Sequence, residues 1–504
     1  MTLWFSCREE AFVGELDDVF GELRSRVHAP RSTAAFANLC VWAQRLEERS
    51  PGAFDDRLRE YAVEALRAWP LRLTTLRLDE RAPEAFARAP WARMVRGVTL
   101  DGFASHPVAR VAERMEHMPW REHLGIDGLQ IRQRDFLQAI DDGLFDGLRS
   151  LEIRNCPLRV GTFAPLIERL SGLEGLAQLE ELRLHHCDIK AAHVEALCAS
   201  GLPERLRVLG LSGNTSLKTK GVKALLASSG RFGRLERLEL EDTGLNNAAA
   251  KLLATSTLPP RLAHVGLGVN ELKAAGLEAL AKAGRVKLLV DREGEVSLDT
   301  TNFAFGEAAL LACVDDGMFE GVERWRMGGW RSELSGAEAL RASGALQGVT
   351  SIDLRDLVLL REHQDELVEV FEGLTVGLRE LRWKPWSCEL LERLLAAPAL
   401  AEARVLDVHD YRTVFGARGL NALLAWPGLD AAEVVNARFQ VKRGSDEYDR
   451  AVASGVLFEE SSEVARAQVF LSSRRRGRAE VQDVSVTLDG RLSREWLNTY
   501  RHDH

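Results

Sequence analysis

The chain has 504 residues, 46% of them hydrophobic and 28% charged, and 66 Lys+Arg against 75 Asp+Glu leave a formal net charge of -9. These proportions exclude a largely disordered chain, a collagen and a disulfide-dense mini-scaffold. The acidic balance argues against a dedicated nucleic-acid binder, which carries a basic excess. At about 150 residues per domain the length suggests three domains, a rule that a stacked repeat array would break.

The first residues, MTLWFSCREEAF, lack a basic n-region, and Arg8, Glu9 and Glu10 interrupt the apolar run, so no secretory leader is expected. No stretch reaches the ~20 uninterrupted apolar residues of a membrane-spanning helix. None of the seven cysteines forms a CxxC pair. A reducing, cytoplasmic compartment is the expectation. Three amphipathic runs within residues 8–69 predict a helical N-terminal cap over 1–69: REEAFVGELDDVFGELRSRV, TAAFANLCVWAQRLEER and DDRLREYAVEALRAW.

Past the cap the chain repeats itself. LRSLEIRNCPL from Leu148, LEELRLHHCDI from Leu179, LRVLGLSGNTSL from Leu206, LERLELEDTGL from Leu235 and LAHVGLGVNEL from Leu262 share the pattern LxxLxLxx(N/C/T)xL. In LxL a polar residue separates two apolar ones, the period of a half-buried strand. Between these strands lie KAAHVEALCASG, KGVKALLASSG, NAAAKLLATST and KAAGLEALAKAG, with apolar residues at i, i+3 and i+4 as in a helix. One strand and one helix cannot bury both apolar faces alone, but stacked neighbours can. Weaker copies start upstream at Leu73, Val95 and His123, and downstream at Val322, Val349, Leu378, Ala403 and Leu429. The array therefore covers about residues 70 to 441.

Residues 285–298 break the spacing: KLLV, DREG and EVSL read as a hairpin. Just beyond, ACVDDGMFEGVERWRM (312–327) echoes QAIDDGLFDGLRSLEI (138–153), with Asp141, Asp142, Gly143 and Gly147 matched by Asp315, Asp316, Gly317 and Gly321. This predicts two repeat blocks, 70–290 and 291–441, from an internal duplication. Residues 442–504, with VARAQVFLSS and AEVQDVSVTLDG around the basic run Arg474, Arg475, Arg476 and Arg478, are read as a small β-containing C-terminal cap.

The repeats resemble leucine-rich repeats of the long, ribonuclease-inhibitor-like type. That resemblance implies an α/β solenoid, with a curved parallel sheet inside and helices outside. CVWAQRLEERSPGAF (40–54) resembles a short helical companion domain that precedes leucine-rich repeats in many bacterial proteins. Val41, Trp42, Ala43, Leu46, Glu47, Glu48, Arg49, Pro51, Gly52 and Phe54 sit on its pattern, while Gln44 and Arg45 replace the family's Asp and Trp.

Strand side chains alternate, so the residues flanking the LxL leucines should line the concave face. They are Arg154, Glu181, Arg183, His185, Arg237, Glu239, Glu241, Arg324, Arg326, Asp353, Arg355, Glu380, Arg382 and Asp407. A row of mixed sign suits a polar protein partner better than a uniform polyanion. His185, His186, Cys187, His193 and Cys198 have metal-ligand chemistry but lack a closed tetrahedral spacing. Cys187 also shares a repeat position with Cys156, Asn214, Thr243 and Asn270, where a small polar side chain satisfies turn backbone. Asp141–Asp142 and Asp315–Asp316 read as helix-end residues before glycine, and Cys7 and Cys40 lack a local His partner. Trp325 and Trp383 stand in for core leucines. Trp330, Trp386 and Tyr411 fall where the first block has Cys, Asn or Thr, so they either fill a wider core or surface as anchors.

No GxSxG, HExxH, Walker A, GxGxxG or DxDxDG loop occurs. The expectation is a non-enzymatic protein-binding scaffold or inhibitor without cofactor or metal, with nucleic acid reachable only through the Arg474–Arg478 run. The alternative, a regulator of a nucleotide-hydrolysing enzyme in the manner of a GTPase activator, would need an Arg or Asn at a strand end, such as Arg183 or Asn214.

Overall fold

The computed structural model describes residues 16–28, 33–69, 74–78, 92–101, 121–128, 133–292, 296–328, 337–355, 357, 361–374, 376–385, 387–408, 415–430, 432, 434–442, 446, 449, 459–461 and 464–472. The chain divides into two compact units, residues 1–245 with 256–265, and residues 246–255 with 266–504. Among the described residues no helix is long and apolar enough to cross a membrane.

The first unit opens with helices Leu16–Val27, Thr33–Arg49 and Asp56–Leu66, as the amphipathic runs predict. The 40–54 motif turns the chain between the second and third. Glu47 accepts hydrogen bonds from the amides of Gly52 (2.8 Å) and Phe54 (3.2 Å), Gly52 takes a positive φ, and the Phe54 ring meets Trp42 edge-on. The pattern's Glu, Gly and Phe thus close one turn together.

Strands follow in chain order: β1 Thr75–Leu78, β2 Gly97–Asp101, β3 His123–Asp127, β4 Ser150–Arg154, β5 Glu181–His185, β6 Val208–Gly210, β7 Arg237–Glu239 and β8 His264–Gly266. They form one sheet in sequential order, and β1 through β7 pair parallel. The register aligns Val98, Leu124, Leu151, Leu182, Leu209 and Leu238 in a single buried row. Helices Gln133–Asp141, Val160–Gly172, Ala191–Ala199 and Lys218–Ala227 connect the later strands. Each buries an apolar stripe, such as Val194, Leu197 and Cys198.

In the second unit the sheet runs β9 Val290–Asp291, β10 Ser297–Asp299, β11 Arg324–Arg326, β12 Ser351–Asp353, β13 Glu380–Arg382, β14 Val405–Asp407 and β15 Val434–Lys442, then β17 Val464–Ser472 and β16 Glu459–Ser461. The hairpin expected at 285–298 is present, since β9 pairs antiparallel with β10. β10 has a second role that the sequence reading did not assign. It pairs parallel with β11 and sets Leu298 beside Trp325, so it is a repeat strand as well as a hairpin arm. The reading of a repeat strand from Leu429 also needs correction. Pro427–Asp430 is a 3₁₀ turn and the strand begins at Val434, because the chain must first turn off the Ala417–Ala425 helix. β17 then pairs antiparallel with β15 over all nine residues.

The duplicated segments adopt the same local geometry. Gly143 and Gly147 have φ of 75° and 77°, and Gly317 and Gly321 have 76° and 71°, a region that favours glycine. The amide of Gly143 donates to Ile140 and that of Leu144 to Ala139; Gly317 and Met318 donate likewise to Val314 and Cys313. The Asp-Asp-Gly sequences are helix ends, with Asp141 bonded to Arg169 and Asp316 accepting the Val286 amide. Trp325 and Trp383 are core residues, 2% and 1% exposed. Trp325 meets Phe319 edge-on and donates its indole N–H to Thr300 at 3.0 Å. Trp330, Trp386 and Tyr411 lie outside the described residues, as do Cys7, Arg474, Arg475, Arg476, Arg478 and the AEVQDVSVTLDG segment.

Candidate functional site

Every described repeat of the first unit from β3 to β7 leaves its strand through a residue with positive φ: Gly128, Asn155, His186, Gly213 and Asp242. One residue further on, Cys156, Cys187, Asn214 and Thr243 turn inward. The Cys156 thiol donates to the Arg154 carbonyl, Cys187 to those of His185 and Ile153, and the Thr243 hydroxyl to that of Leu240. Asn214 does most. Its Oδ1 accepts the amides of Cys187 (2.8 Å) and Ile189 (2.9 Å), and its Nδ2 donates to the carbonyls of Leu184 (2.7 Å) and Leu211 (2.5 Å). In the second unit Asn270 bonds Leu267 and Gly268 in the same way. The fold is a leucine-rich-repeat fold.

Among the solved structures that resemble this chain are three whose likeness is weak. A chain of the yeast Rad7–Elc1 complex is 14% identical, with 80% of this chain and 96% of that chain covered and a TM-score of 0.33. The internalin inlF of Listeria monocytogenes is 13% identical, with 64% and 75% covered and a TM-score of 0.31. The TLR13–ssRNA13 complex is 14% identical, with 66% and 41% covered and a TM-score of 0.31. No protein-family model and no curated protein matches the sequence. The repeat assignment rests on the strand register and the turn ladder of the chain itself.

His185, His186, Cys187, His193 and Cys198 are not brought together as a ligand set. Cys187 is spent on the turn ladder, and burial pushes its thiol up to about 12. His193 caps its helix: Nδ1 accepts the Lys190 amide and Nε2 lies 2.9 Å from the Leu158 carbonyl. Among the described residues no group of three His, Cys, Asp or Glu side chains is placed to hold a metal ion. Of the two residues that suit a GTPase-regulating role by type, Asn214 is 1% exposed and committed to backbone, and Arg183 is locked in ion pairs.

The fourteen predicted face residues fall on the strands or just past them, in two separate sets. In the first unit they form a network. Arg183 Nη1 lies 2.5 Å from Glu181, and its Nε reaches across β6 to Glu239 at 3.2 Å. The reach is possible because the intervening position is Gly210, where a Cβ would sit 2.7 Å from Glu239 Oε2 and 2.8 Å from Arg183 Cγ. His185 Nε2 is 3.6 Å from the same Glu239 carboxylate. Arg154 pairs with Glu152 at 2.6 Å, and Ser212 donates to Glu241 at 2.5 Å. Glu152, Ser150 and His123 belong to this network although the sequence reading did not single them out. Ser150 donates to Glu181 and lies 2.9 Å from His123 Nδ1. They stand on the same strand positions in neighbouring repeats, so register would have found them. Arg237 also projects from this sheet, on β7.

Electrostatics follow from this packing. Burial works against the charge of Arg183, yet Glu239 and Glu181 raise its pKa above the ordinary arginine value. Burial opposes ionisation of Glu152, but Arg154 holds its carboxyl below the usual range. Burial lowers the pKa of His123, His185 and His193 and keeps them neutral.

A pH dependence of stability follows. An unfolded histidine titrates at about 6.5. As pH falls through that value the unfolded chain takes up protons that the folded imidazoles refuse, so stability drops. Glu122, Glu152 and Glu236 have lowered pKa values from Arg96, Arg154 and Arg207, so a second loss begins near the ordinary carboxylate value of about 4.3. Urea midpoints of the full chain at pH 7.5, 5.5 and 4 should fall in two steps. A midpoint level from 7.5 to 5.5 would contradict the buried neutral state of the three imidazoles.

In the second unit the last residues of the strands from β10 to β14 alternate in sign: Asp299, Arg326, Asp353, Arg382 and Asp407. Arg355 grips Asp353 with two hydrogen bonds of 3.0 and 2.7 Å. Arg382 and Arg324 both approach Glu380, at 2.5 and 3.5 Å, and Ser351 donates to the same carboxylate. Arg326 lies 3.9 Å from Asp299. Burial opposes the Asp353 charge, but Arg355 keeps its carboxyl below the usual range.

Proposed function

We propose that the chain is a non-catalytic leucine-rich-repeat scaffold or inhibitor that docks a protein partner on the strand faces of its repeats. The supporting observation is the in-register rows of polar side chains, Arg154, Glu181, Arg183, His185, Arg237 and Glu239 in the first unit and Arg324, Arg326, Asp353, Glu380, Arg382 and Asp407 in the second, with Glu241 and Arg355 two residues past their strands. Ion pairs already fix many of these groups, so docking would cost little further side-chain entropy. Mixed charge favours a partner read by complementarity. The same reading takes the repeats as ribonuclease-inhibitor-like, since a helix follows nearly every strand. It divides the chain into a helical cap 1–69, repeat blocks 70–290 and 291–441, and a C-terminal cap 442–504. It places the protein in a reducing bacterial cytoplasm, consistent with the buried thiols of Cys40, Cys156, Cys187, Cys198 and Cys313, none of which is joined in a disulfide.

Immobilised full chain should retain a partner from native cytosol. Arg237→Glu and Arg324→Glu, each on a strand face, should weaken that retention at least about tenfold, as charge reversal at a docking surface does. Glu168→Lys and Glu195→Lys, on exposed helix positions, should leave it unchanged. Equal loss in both sets would remove the strand face as the docking surface.

A further inference from the structure

A second array of charges runs along the strand entries of the first unit, one residue before each strand from β2 to β7. In order it reads Arg96, Glu122, Arg149, Glu180, Arg207 and Glu236, strictly alternating through six repeats. Identical backbone geometry sets each rung. The amides of Glu122 and His123 both donate to the Arg96 carbonyl, those of Arg149 and Ser150 to Glu122, and those of Glu180 and Glu181 to Arg149. The amides of Arg207 and Val208 donate to Glu180, and those of Glu236 and Arg237 to Arg207. Neighbouring rungs therefore keep the strand spacing of about 4.8 Å.

The side chains then pair along the array. Arg96 meets Glu122 at 2.8 Å and Arg149 meets the same carboxylate at 3.7 Å. Arg149 meets Glu180 at 2.9 Å, and Arg207 meets Glu180 at 3.6 Å and Glu236 at 2.6 Å. Every interior rung touches an opposite charge on both sides. Arg207 holds the Glu236 carboxyl below its usual range, and Arg96 does the same to Glu122. The first rung also leaves the ladder: Arg96 Nη1 donates to the carbonyls of Leu66 (3.1 Å), Arg67 (3.2 Å) and Trp69 (3.0 Å), at the end of the third cap helix.

We propose that this ladder is a salt-sensitive lock that fixes the order and register of the first unit's repeats and ties them to the helical cap. Isolated surface pairs contribute little, but here each interior charge is shared by two neighbours. A slipped or exchanged repeat would bring like charges together. Strict alternation is what such discrimination requires, and apolar packing alone does not supply it, because the leucine rows of all repeats are alike.

Hydrogen exchange of the full chain tests the lock. In 50 mM salt, Glu180→Arg sets three arginines in succession and should speed exchange in β4, β5 and β6 about tenfold. In 0.5 M salt the difference should shrink, because exposed charges are screened. Adding Arg207→Glu and Glu236→Arg leaves a single like-charge contact and should restore most of the protection. If Glu180→Arg fails to fold, Glu180→Gln replaces it, with an expected increase of about threefold. Glu174→Arg, an exposed acid in the same repeat, is the control. The lock is overturned if the Glu180 variants exchange no faster than the control, or if the triple variant is no better than Glu180→Arg.

Discussion

Asn214→Ala is expected to destabilise the first unit by about 3–5 kcal/mol, well above the ~1 kcal/mol of an average substitution. The residue is 1% exposed and serves two amides and three carbonyls of the strand-exit turns around β5 and β6. Alanine leaves these groups buried without partners, and each costs about 1–3 kcal/mol when nothing replaces the lost bond. Local relaxation recovers part of that sum. Asn214→Thr should recover some stability, since Thr243 holds the equivalent position with a hydroxyl on the Leu240 carbonyl. Asn214→Asp should not, because a carboxylate cannot donate to the Leu184 and Leu211 carbonyls. Equilibrium urea unfolding gives the size of the loss, and faster exchange of the Cys187 and Ile189 amides gives its location. A loss below about 1 kcal/mol would mean the turn rebuilds around water.

Arg96→Ala should be nearly as damaging, about 3–4 kcal/mol, for a different reason. Its side chain is 12% exposed, and the guanidinium forks onto both oxygens of Glu122 at 3.0 and 2.8 Å and satisfies three carbonyls at the end of the Asp56–Leu66 helix. Removing it leaves Glu122 only the longer Arg149 contact and deprives the helix-end carbonyls of their donor. Arg96→Lys keeps the charge but not the planar fork, so it should recover less than half. The sign of the mechanism is where protection is lost. Exchange should rise in the Asp56–Leu66 helix as well as in β2 and β3, whereas a purely local ion pair would affect the strands alone.

Much of the architecture is legible without coordinates. LxL alternation placed the strands at residues 150, 181, 208, 237 and 264, and weaker copies found β1, β2, β3 and β11 through β14. It could do so because a half-buried strand must alternate and a helix must keep its apolar stripe. The turn position shared by Cys156, Cys187, Asn214 and Thr243 was readable for the same reason, since each need is met within one repeat. The EVSL segment was assigned only half its role. A hairpin arm and a repeat strand look the same locally, and pairing with β11 decided it.

The candidate face divides along the same line. Which residues point from the strands followed from alternation, and the sequence supplied all fourteen. Their electrostatic state did not. Arg183 and Glu239 lie on strands separated by β6, and only the bare Gly210 backbone between them lets the pair form. Arg96, Glu122, Arg149, Glu180, Arg207 and Glu236 stand about one repeat apart, and no window of the sequence brings two of them together. By itself the sequence determined the repeat, its strands and its inward turn residues, because hydrophobic period and backbone satisfaction act over a few residues. Tertiary structure decided which charges neutralise one another and which helix the first rung grips, because those depend on stacking register, which exists only once neighbouring repeats have packed.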